Sequence, residues 1–568
     1  LGSACCQSLT AISRILALSF TVQVFVTRLF KFPLLLIALL VALPVLAIGA
    51  SMLQWNSAST DILKQMASTV LPNYALTTLV LCAAVALGTA LIGMSTACAV
   101  TLFDFRGRRL FEWALLLPLA MPAYVSAYAY TDFLQFSGPA QTWLRQTFGL
   151  QGRVLPEIRS TWGAALLFIL TLYPYVYLLA RAALSERAAH LMEAARLLGA
   201  PLRTRIARVA LPLARPAVAA GVALALMETL ADFGVSSYFG IQTFTTGIYK
   251  AWLAMDDRIA AAQLSVMLLI AIAVLLKAER HAQQKMRFAS GKGIRAGSHE
   301  AKPVRLRGSK QFKAQLLCCL PIALGFVLPV LMMLRPLLSN LPSADQEPIR
   351  WAEFAQWSFN SFKLAGIAAL LATSLALLLA FAQRRQNGRN AQFMVQAMVQ
   401  TVGMGYALPG AVIVVGLLIP VGLLQNIQPS WSFGALITTT IVGIVWAYLV
   451  RFTAVALQSM QSGYARIPQS YDDSARMLGS QGGKLLLRVH LPLLRRSAGV
   501  AMLLVFVDVM KELPATLVLR PFNHDTLAVV AYQLAKDERL AEAALPSLAL
   551  VLVGLLPVIL LSRTLRST

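Results

Sequence analysis

The chain has 568 residues, 58% of them hydrophobic and only 13% charged, well below the ~25% charged residues of a soluble domain. Its formal charge is +25, but the basic residues are spread among apolar runs, so a nucleic-acid groove is the weakest reading of that charge. There is no G-x-x-x-x-G-K-[ST] phosphate loop, Ser-His-Asp arrangement, metal-hydrolase motif or dinucleotide fingerprint. The six cysteines and five histidines also fall into no metal-ligand spacing. No enzyme chemistry is recognisable, and the chain has no evident means of hydrolysing ATP.

Residues 1–30 read as an amphipathic or loosely ordered leader. The apolar run at 31–51 is long for a signal-peptide core and close to the ~20 residues that span a bilayer. Further spans are predicted at 74–98, 110–130, 163–181, 214–235 and 260–278. A basic linker at 281–314 follows, then spans at 315–336, 363–382, 396–420, 432–455, 497–516 and 543–562. The expected fold is therefore all-α: a polytopic membrane protein with 12 transmembrane helices in two homologous six-helix domains, 31–280 and 315–568. Lys and Arg concentrate around 101–109, 181–215, 277–313, 384–389 and 451–496, and at both ends. These are the loops on one side of the twelve-span arrangement. The positive-inside rule then puts them, the leader, the linker and both termini in the cytoplasm. Reporter fusions at Arg106, Arg205, Lys292, Arg385 and Arg488 are expected inside, and those near Asp61, Arg153, Asp256, Glu353, Asn426 and Asp525 outside. An external Lys292 would overturn the six-plus-six arrangement.

One basic loop occurs twice. The first copy contains Glu193-Ala194-Ala195, Gly199 and Leu211-Pro212; the second contains Asp473-Ser474-Ala475, Gly479 and Leu491-Pro492. Each position is displaced by the same 280 residues, as from Glu193 to Asp473. Leu191, Ala194, Ala195 and Leu198 recur at helical intervals, so a short helix shows one small apolar face ended by a glycine. Small side chains permit close approach, and an acid can meet a basic partner. Two equivalent copies suit a two-fold partner, whereas the bland alternative is a pair of interfacial helices tying spans together.

This pattern resembles the E-A-A, three residues, G, then I and L-P signature of the integral-membrane permeases of binding-protein-dependent ABC importers. Glu193-Ala194-Ala195, Gly199, Ile206 and Leu211-Pro212 match it, while Asp473, Ser474 and Leu486 depart from it in the second copy. The resemblance implies that Glu193, Ala194, Ala195, Gly199, Pro212, Asp473, Ser474, Ala475, Gly479 and Pro492 belong to two coupling loops docked on a homodimeric ATPase. ATP and magnesium would be bound by that partner and no cofactor by this chain. It further implies a bacterial inner (cytoplasmic) membrane location and a periplasmic binding protein. That receptor would meet the outer loops near 131–162 and 337–361, where Asp132, Glu157, Asp345, Glu347 and Glu353 are candidate contacts.

Fusion of both halves resembles the ferric-iron and thiamine permeases. Thr229-Leu230-Ala231-Asp232-Phe233-Gly234 and Asp508-Val509-Met510-Lys511-Glu512-Leu513-Pro514 resemble the ferric-iron group more closely. The resemblance implies ferric iron as cargo and a periplasmic ferric-iron-binding protein as receptor; thiamine, polyamines and other small solutes are the alternatives. Glu228 and Asp232, like Asp508 and Glu512, stand one helical turn apart at matching depth. Charged groups at membrane depth face a bundle interior or an aqueous cavity. With Lys511 they are candidates for passage or gating, or else pair to hold the gate together. No metal site is assigned. An ion-gradient carrier with inverted repeats would require opposite topologies in the two halves, whereas both begin and end inside here. A membrane scaffold leaves the paired acids unexplained. Tyr124, Tyr128, Tyr130, Tyr173, Tyr175 and Tyr177 suit either a cavity lining or the headgroup interface. Pro122, Pro174, Pro409, Pro420 and Pro514 mark possible hinges.

Overall fold

Inside a bilayer no water satisfies backbone N–H and C=O groups, so long apolar runs fold as helices. The computed structural model describes residues 39–50, 64–185, 189–255, 257–289, 304–339, 351–385, 389–430 and 432–566. Among them nine helices are long and apolar enough to cross a membrane, or ten when one bent pair is taken as a single span. The protein is an all-α, polytopic membrane protein; its only strands among the described residues are the two-residue pair Phe103–Asp104 and Val304–Arg305.

Eight predicted spans overlap such helices, five lying wholly within them and those at 214–235, 432–455 and 543–562 only in part: Leu71–Leu102, Thr161–Ala183, Leu202–Ala231, Ile259–Glu279, Ser309–Leu338, Trp351–Arg384, Ile441–Tyr464 and Leu540–Leu560. The other four differ for physical reasons. The run at 31–51 is described only as the short helix Leu39–Ala50. The run at 110–130 breaks into Arg108–Ala114, a 3-10 turn Leu117–Ala120, and Ala123–Leu134, with an 88° bend. Pro122 caps the second piece with an extended ψ of 137°. The run at 396–420 breaks alike, with a turn at Gly405–Ala407 and Pro409 capping Gly410–Ile427, itself the ninth long apolar helix. The run at 497–516 folds as Leu491–Lys511, a helix that carries Arg495, Arg496, Asp508 and Lys511. Pro174 and Pro420 lie inside helices, and Pro514 starts a short one.

The 280-residue displacement recurs in the elements themselves. Leu211–Ala231 corresponds to Leu491–Lys511, and both follow a five-residue π turn, Ile206–Ala210 and Leu486–His490. Pro212 and Pro492 account for these turns, since proline offers no N–H and its ring crowds the carbonyl four residues back. Thr161–Ala183 packs against Leu71–Leu102 and Leu211–Ala231, as Ile441–Tyr464 does against Trp351–Arg384 and Leu491–Lys511.

The first helix of each half packs on the other half. Leu39–Ala50 lies against the second half, where Trp446 donates to the Leu40 carbonyl at 3.0 Å. Conversely, Tyr130 of the first half donates to the Leu324 carbonyl at 2.6 Å. The leader 1–30 and residues 290–303 of the linker lie outside the described residues. The linker's flanks are structured: the helix Arg258–Ala289 continues past 280, and Val304–Arg305 pairs in parallel with Phe103–Asp104.

Candidate translocation and docking sites

The helices Leu211–Ala231 and Leu491–Lys511 both stop where the chain turns extended, at Asp232 (ψ 135°) and Glu512 (ψ 119°). Each carboxylate then accepts from the start of the next short helix. Asp232 accepts from the Ser236 N–H at 3.1 Å and its hydroxyl at 3.3 Å. Glu512 accepts from the N–H groups of Ala515 (3.2 Å) and Thr516 (3.1 Å) and from the Thr516 hydroxyl (2.9 Å). A carboxylate suits this position because the first N–H groups of a helix lack intrahelical partners. Arg451, within Ile441–Tyr464, completes the second site by pairing with Glu512 at 3.1 Å.

Both breaks open on one cavity of about 200 Å³ between the halves. Glu228, Asp232, Asp508, Lys511 and Glu512 all line it, together with Arg451, Tyr124, Tyr175 and Tyr406. The five charged residues singled out from the sequence therefore meet in space, but they are not equivalent. Asp232 and Glu512 are engaged as helix caps. Glu228 accepts one hydrogen bond, from the Tyr406 hydroxyl of the other half at 2.8 Å. Among the described residues Asp508 has no hydrogen bond or ion pair. Lys511 donates to the Leu119 carbonyl at 3.0 Å, while the pairing of a cavity acid with a basic group is made by Arg451 with Glu512. Four carboxylates face two cations, leaving a cavity with a formal excess of negative charge.

Tyr124 and Tyr175 line this cavity. Tyr128, Tyr130, Tyr173 and Tyr177 are buried in the protein core. Tyr124, Tyr128 and Tyr238 contact one another in series, tilted and then edge to face, with centroid spacings of 5.8 and 4.8 Å. Ser237 bonds Tyr532 across the halves at 2.8 Å. Arg159 joins them again through Glu538 at 3.2 Å and the Tyr238 hydroxyl at 3.2 Å. Of the suggested receptor contacts, Glu157 is exposed and paired with Arg153, and Glu353 lies in the first turn of Trp351–Arg384. Asp132 is half-buried beside Tyr128 and Met332. Asp345 and Glu347 lie outside the described residues.

The repeated loops fold alike. Short helices Ala189–Leu197 and Ser470–Met477 carry Glu193-Ala194-Ala195 and Asp473-Ser474-Ala475. Gly199 (φ +78°) and Gly479 (φ +80°) end them in the left-handed region that favours glycine. Ala200 N–H reaches the Ala195 carbonyl at 3.0 Å, and Ser480 N–H the Ala475 carbonyl at 2.9 Å. The apolar surface is not made of the alanines alone. Leu197 and Leu198 are 84% and 87% exposed, and Met477 and Leu478 are 89% and 85% exposed. Ala475 instead faces inward, while Asp473 and Ser474 are exposed. Each loop tip thus exposes an equivalent pair of large apolar side chains.

A further cluster anchors the second loop helix. Asp472 is buried, ion-paired with Arg384 at 2.7 Å and bonded to His490 at 3.0 Å. Burial alone would raise the Asp472 carboxyl, but hydrogen bonds from Arg384 and His490 outweigh it and hold the group below the ordinary value.

The profile of the family described as binding-protein-dependent transport system inner membrane component matches residues 89–287. The chain is 30% identical over 215 residues to the inner membrane ABC transporter permease protein YdcU of Escherichia coli, covering 35% of this chain and 68% of that protein. It is 30% identical over 246 residues to a probable molybdenum ABC transporter permease of Haloferax volcanii, covering 42% of this chain and 85% of that protein. The chain belongs to this family of ABC-importer permeases. Over 482 residues the permease is also 27% identical to an Fe(3+)-transport system permease of Haemophilus influenzae, covering 83% of this chain and 86% of that protein. Members of the family are non-catalytic membrane components that work with a separate ATPase and a binding protein.

Several site residues of the permease escaped sequence reasoning. Arg451 falls where the predicted span 432–455 overlaps the basic segment 451–496, and a lone cation inside an apolar run is itself a signal of a polar partner. Tyr406, the Leu119 carbonyl and Arg384 carry no local signature, because their partners lie far away in the chain.

Proposed function

We propose that this permease moves ferric iron across a bacterial inner membrane, receiving it from a periplasmic ferric-iron-binding protein. A homodimeric ATPase docks on the two repeated loops and supplies the work. The observation that carries the cargo is the acid-rich cavity between the halves, where Glu228 and Asp508 are least engaged by the protein. Fe³⁺ is a hard cation that prefers oxygen ligands, and sparse ligation lets a site release its ion. The Haemophilus influenzae relative supports this reading. Asp232, Glu512 and Arg451 hold the helix breaks that bound the route. Lys511 tempers the charge.

The topology belongs to the same proposal. Twelve crossings arise when the broken runs at 110–130 and 396–420, the charged helix Leu491–Lys511 and the segment around Leu39–Ala50 each count as one. The domains are then 31–280 and 315–568, joined by a basic cytoplasmic linker at 281–314 and preceded by a leader at 1–30, with both termini inside. Docking is supported by the exposed apolar pairs at both loop tips.

Reconstituted vesicles containing the permease, its ATPase and its binding protein test the cargo. Labelled Fe³⁺ is expected to accumulate in an ATP-dependent manner, and labelled thiamine, polyamines, sulfate and molybdate are not. The oxyanion arms are included because Lys511 and Arg451 also face the cavity. Accumulation of any of these without iron would reject ferric iron and leave the importer standing.

A further inference from the structure

The second repeated loop is tied to the transmembrane helices by a device with no counterpart among the described residues of the first. Arg384 ends the helix Trp351–Arg384 and uses its whole guanidinium there. Its Nε donates to Asp472 Oδ2 at 2.7 Å and one terminal nitrogen to Asp472 Oδ1 at 3.2 Å. The terminal nitrogens also reach the carbonyls of Tyr464 (3.1 Å), Ile467 (2.9 Å) and Pro468 (2.9 Å). A guanidinium has five N–H donors, and five acceptors meet them. His490 bridges Asp472 at 3.0 Å and the Tyr464 hydroxyl at 3.1 Å. The ends of Trp351–Arg384 and Ile441–Tyr464, the π turn that leads into Leu491–Lys511, and the loop helix Ser470–Met477 thus converge on one buried node.

The corresponding node of the first half is apolar. Displacement by 280 takes Tyr464 to Leu184, Asp472 to Met192 and His490 to Ala210, all buried in one hydrophobic cluster, while Arg384 falls at Asp104, outside that cluster and paired with Arg305. The same three positions are thus filled by packing in one half and by directional bonds in the other. Apolar contacts slide at little cost, whereas a fully satisfied guanidinium holds one geometry.

We propose that the Arg384–Asp472–His490 node locks the second loop helix to the ends of its spans, so that docking forces move helix Ser470–Met477 and those spans as one body. The first loop transmits through an apolar joint. Arg384, Asp472 and His490 are positioning residues, and the two docking sites are mechanically unequal. This inference rests on the coupling reading of the repeated loops and is independent of the cargo.

The test uses the permease–ATPase complex in vesicles, with spin labels at Ser470→Cys and Leu370→Cys in a chain freed of its other cysteines. The label distance is expected to be single and unchanged between the nucleotide-free complex and the complex trapped with ATP and vanadate. In Asp472→Asn and Arg384→Lys it should broaden and shift on trapping, while ATPase binding is retained and transport per ATP hydrolysed falls about fivefold or more. Lysine keeps the charge but cannot make the forked contacts. A combined Arg384→Met, Tyr464→Leu, Asp472→Met and His490→Ala chain, which copies the first half's residues at the three buried positions and removes the guanidinium, should refold the joint and regain most of the ratio. An unchanged distance and an unchanged ratio in assembled Asp472→Asn would overturn the lock, as would an assembled apolar chain that stays uncoupled. Failure of the coupling reading itself would appear elsewhere, as undiminished ATPase binding after charges replace the tip residues Leu197, Leu198, Met477 and Leu478.

Discussion

Changing Glu228 to Gln and Asp508 to Asn together is expected to abolish Fe³⁺ accumulation while the complex still assembles. These two carboxylates face the cavity from opposite halves and are the least committed to the protein, with one bond from Tyr406 to Glu228 and none among the described residues to Asp508. If each contributes ~1.4 kcal/mol of attraction to a passing cation, uptake falls about 100-fold. Neutralising Asp232 and Glu512 should act differently. Loss of a helix-capping side chain costs ~1 kcal/mol. Removing the Glu512 charge also strands the largely buried Arg451 guanidinium, which costs up to a further ~3 kcal/mol. Glu512→Ala should therefore lower the yield of folded permease, measured by detergent-stable monodisperse protein, before any transport defect is read. Wild-type uptake by the Glu228→Gln, Asp508→Asn chain would exclude these acids from the route.

Placing aspartate at both Leu197 and Leu198, or at both Met477 and Leu478, should disrupt binding of the ATPase. Each pair is almost fully exposed in the isolated chain. Burying one such side chain against a partner is worth ~1.5–3 kcal/mol, so losing two weakens binding by 100-fold or more. Gly199→Ala makes a useful contrast. A Cβ there meets nothing within 4 Å, so the cost comes from the left-handed backbone alone, ~1–2 kcal/mol. Pull-down of the ATPase by membranes containing each variant checks both statements, and normal retention by the aspartate pairs would remove the tips from the interface. Ser474, exposed where the first copy has Ala194, should tolerate small replacements better than its counterpart.

What could be read along the chain was what is periodic or local. Apolar runs of bilayer length specify helices wherever they occur, because the backbone has no other way to satisfy itself in lipid. The repeat of the basic loop, with glycines where the backbone turns left-handed, was legible because helix, cap and turn chemistry act over a few residues. The acidic pairs stood out for a similar reason: charge in an apolar run is costly and must face something polar.

Other features were beyond local pattern. Glu228 and Asp232 look alike one turn apart, yet the helix ends between them, so one caps a helix while the other meets a tyrosine 178 positions away. The broken span at Pro122 joins the cavity wall where Lys511 and Tyr124 bridge the halves, and the one before Pro409 where Tyr406 meets Glu228. Arg384 and Asp472, 88 positions apart, are unremarkable until three helix ends and a loop meet. The sequence alone determined the helices, their membrane setting and the duplicated loop. The tertiary structure decided which charges face the cavity, which hold the scaffold and how each loop is anchored, because those roles depend on partners brought together by helix packing across hundreds of residues.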